Sequence, residues 1–160
     1  MSSKLPFEAI VELHGPTVLR VCLAVVGAID ADDAWSDTFL SAMKAYPSLP
    51  DDANVEAWLV TIAHRRAIDA GRARSRRPVP TEAVVERAAR PDETETDADL
   101  VAAIEALPDK QRRAVAYHYL GGLPYVEIAS LLGGTPDASR RAAADGIATL
   151  RSTTIRERSR

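Results

Sequence analysis

The residues of this chain best suited to nucleophilic, acid–base or metal chemistry are three histidines and one cysteine, and their spacing builds no centre. His14, His64 and His118 stand far apart, with no His-Glu-x-x-His, no glycine-rich phosphate loop and no nucleophile elbow nearby. We therefore expect no enzyme, no metal and no cofactor. The charged residues carry more information. A formal net charge of −3 hides blocks of opposite sign. His64 to Arg77 holds Arg65, Arg66, Arg72, Arg74, Arg76 and Arg77 against Asp69 alone, a composition suited to neutralising phosphate. Thr81 to Asp99 holds Glu82, Glu86, Asp92, Glu93, Glu95, Asp97 and Asp99 against Arg87 and Arg90.

A second constellation runs from Leu123 to Pro136. A short amphipathic stretch, a Gly133-Gly134 turn, then Thr135 as a hydroxyl cap with Pro136 behind it is the arrangement of a helix-turn-helix. Small Ala129 permits a close helix crossing. The second helix would offer its first residues to a major groove: Asp137, Ala138, Ser139, Arg140 and Arg141. The competing explanation is an ordinary helical hairpin with a solvated arginine face.

The elements that must position these groups read as helices throughout. Alanine is abundant, while β-branched runs and alternating patterns are scarce. Phe7, Ile10, Val11 and Leu13 begin an amphipathic helix that Gly15-Pro16 should kink or end, and Val18 to Val26 resumes it as core. Asp30 can cap a helix with Asp32 and Asp33 in its first turn and an apolar stripe of Trp35, Phe39, Ala42 or Met43, and Tyr46. Pro47 to Asn54 reads as a loop, followed from about Val55 by a helix with Trp58, Leu59, Ile62 and Ala63 on its buried face, fraying from Arg72 to Pro80. Residues 79–97 read as a flexible acidic linker. A second domain begins near Leu100, with helices expected over Pro108 to Leu120, Pro124 to Leu132 and Pro136 to about Ser152. The expected fold is all-α: two small helical domains, 1–78 and 98–153, with a basic tail over 154–160.

Cys22, among valines and leucines, reads as a small buried hydrophobe without a disulfide partner, which fits a reducing cytoplasm. The longest apolar stretch, Val21 to Ile29, is too short to cross a bilayer, and Met1 to Lys4 opens no signal peptide. A cytoplasmic protein without membrane insertion is expected.

Three segments together resemble one family. Asp30-Ala31-Asp32-Asp33-Ala34-Trp35-Ser36-Asp37-Thr38-Phe39-Leu40 resembles the acidic segment by which sigma factors dock on RNA polymerase. Val55 to Asp69, with its arginine tail, is similar to the promoter-melting helix that follows it. Leu107-Pro108, Arg112 and Leu123 to Gly133 resemble the C-terminal promoter-reading domain. Their order and coverage are those of the extracytoplasmic-function sigma factors of the sigma-70 family.

The resemblance implies a factor that binds core RNA polymerase and directs promoter recognition, melting and initiation without ATP. Asp32, Asp33 and Asp37 would meet basic polymerase groups while Phe39 steadies the helix. The loop from Tyr46 to Asn54 would take up a base flipped from the minus-ten element, with His64, Arg65, Arg66, Arg72, Arg74 and Arg76 along the single strand. Thr135, Asp137, Ser139, Arg140 and Arg141 would lie on the minus-thirty-five element. Promoter DNA, core polymerase and an anti-sigma protein are the implied partners.

The chain also departs from the family pattern. The usual Gly-Thr-Val-Lys-Ser-Arg is replaced by Asp137-Ala138-Ser139-Arg140-Arg141-Ala142, and Asp145-Gly146 stands where a basic and a small residue are usual. Gly146 is expected to weaken the recognition helix by up to about 1 kcal/mol relative to alanine. Arg65 replaces a frequent asparagine, and Pro124 a capping serine. Two alternatives remain: a helix-turn-helix regulator without a sigma role, and a degenerate sigma-like protein.

Overall fold

A computed structural model describes residues 4–76 and 95–159, all of whose regular structure is helical. Helix α1 spans Phe7–Val26, α2 Ala28–Ala45, α3 Val55–Arg76, α4 Glu95–Glu105, α5 Asp109–Val115, α6 Tyr125–Leu132 and α7 Pro136–Arg158. A 3₁₀ turn, Tyr46–Ser48, follows α2, and a π-helical segment, Ala116–Leu120, extends α5.

Gly15 and Pro16 do not end α1, because its apolar residues from Val18 to Val25 are buried and packing holds the helix through the missing N–H. The indole of Trp35 fits against Gly15 and donates its N–H to the Gly15 carbonyl at 3.0 Å. As one continuous helix, α1 is long and apolar enough to cross a bilayer by length and composition, which the shorter stretch considered in the sequence does not reveal. Half of that apolar window is buried by other helices. Nor does Asp30 cap α2. The helix starts earlier, at Ala28, from Gly27 with φ of 83°, so Asp30 lies within the first turn.

Helix α3 begins where expected, with Asn54 Oδ1 accepting from the Ala57 N–H at 3.1 Å. Helix α7 begins as the sequence suggests, Thr135 Oγ1 accepting from the Ala138 N–H at 3.1 Å. It runs on to Arg158, so the segment expected as a tail is largely helical.

Gly146 has a reason to be glycine beyond helix propensity. A Cβ there would stand 2.6 Å from Val115 Cγ2 and 3.4 Å from Leu107 Cδ1. Val115 is buried and stiff at χ1, so the neighbour cannot swing aside. Gly146→Ala should gain at most about 1 kcal/mol of helix propensity and lose about 1–3 kcal/mol to overpacking. Denaturant unfolding should therefore show a lower midpoint; an unchanged or raised midpoint would mean that α5 and α7 are not held this closely.

The two halves share one core. Ile10, Val18 and Leu59 belong to the same buried cluster as Ile104, Val115 and Leu123, and α1 packs on α4 and on the π segment as well as on α2 and α3. Most of the expected linker lies outside the described residues, although its last residues, from Glu95, are already helix α4.

Candidate nucleic-acid interface

On α2, Asp32, Asp33 and Asp37 are exposed and Phe39 is buried, its ring 4.6 Å from Trp35 and 6.4 Å from Phe7. Asp33, Asp37 and Leu40 share one helix face at i, i+4 and i+7. Leu40 and Met43 are half exposed, at 55% and 50%, so the acidic face has an apolar component that sequence reasoning missed. Met43 reads equally well as core when only the helical period is considered.

The expected DNA-facing residues of the first half divide. Asn54 and Arg65 are exposed, and Arg66 is partly exposed with a guanidinium nitrogen 3.8 Å from Asp69. Arg72, Arg74 and Arg76 lie in the last turns of α3, but their side chains fall outside the described residues. Tyr46 is buried and donates its hydroxyl to the Leu5 carbonyl, so it is a wall of the loop rather than an open stacking surface. Trp58 is partly buried beside it, with ring centroids 6.4 Å apart.

His64, expected on the basic surface, is instead 3% exposed. It faces the C-terminal half: Nδ1 is 2.5 Å from the Tyr117 hydroxyl and the two rings meet edge to face at 5.2 Å. Burial raises the Tyr117 phenol pKa, so it keeps its proton and donates to Nδ1. Burial first, then the charges of Arg113 and Arg65, lowers the His64 pKa against an opposing backbone hydrogen bond to Leu131. The ring is therefore held neutral. One turn away, a Cβ on Gly121 would meet both Val60 methyls at 3.1 Å and the Tyr117 carbonyl at 2.9 Å, which restricts this position to glycine. The π-helical bond from Gly121 N–H to Ala116 carbonyl, 3.0 Å, widens the turn that turns Tyr117 inward.

On the helix-turn-helix, Asp137, Arg140 and Arg141 are exposed, Thr135 serves as the cap, and Ser139 is 5% exposed. Ser139 thus packs inside and cannot reach a DNA backbone from this position. Arg140 is held twice: its Nη1 lies 2.7 Å from Asp137 Oδ1, and its guanidinium sits 5.2 Å from the Tyr125 ring centroid. Tyr125 in turn stacks on His118 at 4.1 Å and 16°. His118 Nδ1 is 2.9 Å from the Leu123 carbonyl, which fixes the imidazole against the turn. Nothing in the local pattern reveals this stack, whose members come from the π segment, α6 and α7. Among the described residues no group of three or more histidine, cysteine or carboxylate side chains could hold a metal ion.

An acidic, partly apolar helix face, an arginine-bearing helix and a helix-turn-helix define a helical protein built to join DNA to a partner. Comparison with known proteins gives the family. Residues 10–77 match the family model for sigma-70 region 2, and residues 97–150 match that for sigma-70, region 4. Among curated relatives, the ECF RNA polymerase sigma factor SigD of Mycobacterium tuberculosis is 33% identical over 145 residues, covering 82% of this chain and 68% of that protein. RNA polymerase sigma factor CarQ of Myxococcus xanthus is 29% identical over 158 residues, covering 91% and 87%. The same fold occurs in the sigma factor RpoE crystallised with the anti-sigma factor NepR from Bartonella quintana, with TM-score 0.72, 21% identity and 91% and 94% coverage. It recurs in CnrH bound to the cytosolic domain of CnrY, with TM-score 0.62, 21% identity and 93% and 87% coverage.

The chain belongs to the sigma-70 family, in its extracytoplasmic-function group. It is a sigma factor, which directs transcription initiation.

Proposed function

We propose that this sigma factor works in the cytoplasm through two parts, about residues 1–78 and 98–153. The first docks on core RNA polymerase and melts the promoter, and the second reads the upstream element. The observation that carries this reading is the exposed face of α2, where Asp33 and Asp37 lie in line with half-exposed Leu40. Carboxylates steer it towards a basic surface, and the apolar patch supplies contact area once water is excluded.

The loop from Tyr46 to Asn54 takes up a flipped minus-ten base, and Arg65, Arg66 and the arginines ending α3 neutralise the strand's phosphates. Arg140, lying against Tyr125, and the exposed Arg141 meet the minus-thirty-five element. An anti-sigma protein is a second partner, supported by the family and by the related RpoE, which was crystallised with the anti-sigma factor NepR. The experiment is reconstitution. The purified chain should co-elute with bacterial core polymerase and support transcription from a promoter that core alone ignores. Failure to bind core, with retained binding to duplex DNA, would favour a free-standing helix-turn-helix regulator.

Replacing Arg140 and Arg141 together by alanine should leave binding to core intact. It should weaken holoenzyme binding to upstream-element DNA by about 1–3 kcal/mol for each arginine that pairs with a base through two hydrogen bonds, and it should flatten the salt dependence. Equal affinity and an equal salt slope would remove both residues from the interface.

A further inference from the structure

The residues just before α1 hold the loop that follows α2, although more than forty positions separate them in the chain. Lys4 Nζ donates to the Tyr46 carbonyl at 2.5 Å and to the Leu49 carbonyl at 2.6 Å. It therefore bridges the two ends of the 3₁₀ turn, whose own closing bond runs from the Leu49 N–H to the same Tyr46 carbonyl at 3.0 Å. The ammonium also lies 4.5 Å from the centroid of the Tyr46 ring. In return, the Tyr46 hydroxyl donates to the Leu5 carbonyl at 2.5 Å. Side chain grips backbone in both directions, and Phe7, 5.5 Å from Tyr46 between ring centroids, packs beneath the clasp.

The clasp closes only the near end of the loop. Beyond Leu49, the Ala53 N–H donates to the Pro50 carbonyl at 3.1 Å and Asn54 caps α3, while Pro50, Asp51, Asp52 and Asn54 remain exposed. The loop is thus fixed at both ends and open along its outer edge. Carbonyls at a helix C-terminus ordinarily turn to water. Here a cation satisfies two of them with charge-assisted bonds, which are stronger than neutral ones and less tolerant of movement.

We propose that Lys4 is a positioning residue for base capture. By bridging Tyr46 and Leu49, with Leu5 receiving the Tyr46 hydroxyl, it sets the loop in its receiving shape before the base arrives. This inference rests on the reading that the loop takes up a flipped base. A loop already ordered loses less freedom when the base enters, so more of the binding energy discriminates between bases.

The test uses holoenzyme assembled from bacterial core polymerase with wild-type chain, Lys4→Met, Lys4→Arg or Tyr46→Phe. The probe is fork-junction DNA whose minus-ten non-template strand is single-stranded, selected from a randomised pool by the wild-type holoenzyme. The readout is the ratio of its affinity to that of the same DNA made abasic at each selected position in turn. Lys4→Met should shrink the largest ratio about tenfold, roughly the loss of one charge-assisted hydrogen bond, while core binding is unchanged. Lys4→Arg, which keeps charge and donors, should retain most of the ratio. Tyr46→Phe, which removes only the arm to Leu5, should shrink it in the same direction.

Undiminished discrimination in Lys4→Met would overturn the proposal. So would an equal loss of affinity for intact and abasic DNA, since that is the signature of a cation that merely attracts phosphate. If the wild-type holoenzyme selects no base and ignores abasic sites, base capture by this loop fails, and the role of Lys4 fails with it.

Discussion

Replacing both Asp33 and Asp37 with lysine is expected to abolish binding to core RNA polymerase while leaving the helical fold intact. Both side chains are exposed on α2, and substitutions at such positions usually change stability by about 0.5 kcal/mol or less. Against a basic partner surface the reversal does more than remove attraction: it sets like charges together, at a cost of several kcal/mol. A loss of about 3 kcal/mol is already more than a hundredfold in affinity. Size exclusion with core polymerase measures the loss, and circular dichroism and unfolding midpoints check the fold. If the reversed chain binds core as the wild type does, the docking face lies elsewhere.

The second large effect is expected where the two halves meet. Tyr117 is fully buried, and Tyr117→Ala should cost about 3–5 kcal/mol, the range for deleting a large aromatic side chain from a core. Tyr117→Phe keeps the ring and removes the donor to His64, leaving Nδ1 buried without its partner at a cost of about 1–3 kcal/mol. The pH dependence has a definite sign. The His64 pKa in the closed structure lies below its ordinary value of 6.5, so the unfolded chain binds the proton more readily. The stability that neutral His64 contributes is therefore complete above about pH 6.5 and is lost as the pH falls towards its lowered pKa. Denaturant titrations at pH 7.5 and 5.5 should show wild type losing more stability on acidification than His64→Gln. An equal loss in both would mean that His64 is not held neutral between the halves.

The positions where the sequence was legible share a feature: the deciding interaction is local. Asn54 and Thr135 cap helices three residues ahead, and the Gly133-Gly134 turn, with φ values of 82° and 94°, needs no knowledge of the rest of the chain. The acidic face of α2 likewise follows from a helical period. What escaped depends on distant partners. His64 sits in a run of arginines and looks solvated, yet Tyr117 buries it from the other half of the chain. Tyr117 precedes His118 and Tyr119 in a π-helical segment, where the ordinary period of 3.6 residues does not tell which ring turns inward. Ser139 looks like a phosphate ligand by its position on the recognition helix, but that face packs inside. Gly146 was legible only as a weak helix former, since propensity contains no information about Val115 on another helix. The Lys4 clasp joins residues whose separation is set by the whole length of α1 and α2.

The burial of Cys22 bears on how this factor can be controlled. Its side chain is 2% exposed, and burial pushes the thiol pKa up to about 12, so the reactive thiolate is essentially unpopulated at neutral pH. Peroxides and electrophiles react with thiolates that they can reach, and this chain, with a single cysteine, presents none while folded. Cys22 is therefore no direct sensor in the folded chain, and a thiol-based signal reaches transcription through this protein only when another molecule carries the reactive thiol and transmits the result by binding or release.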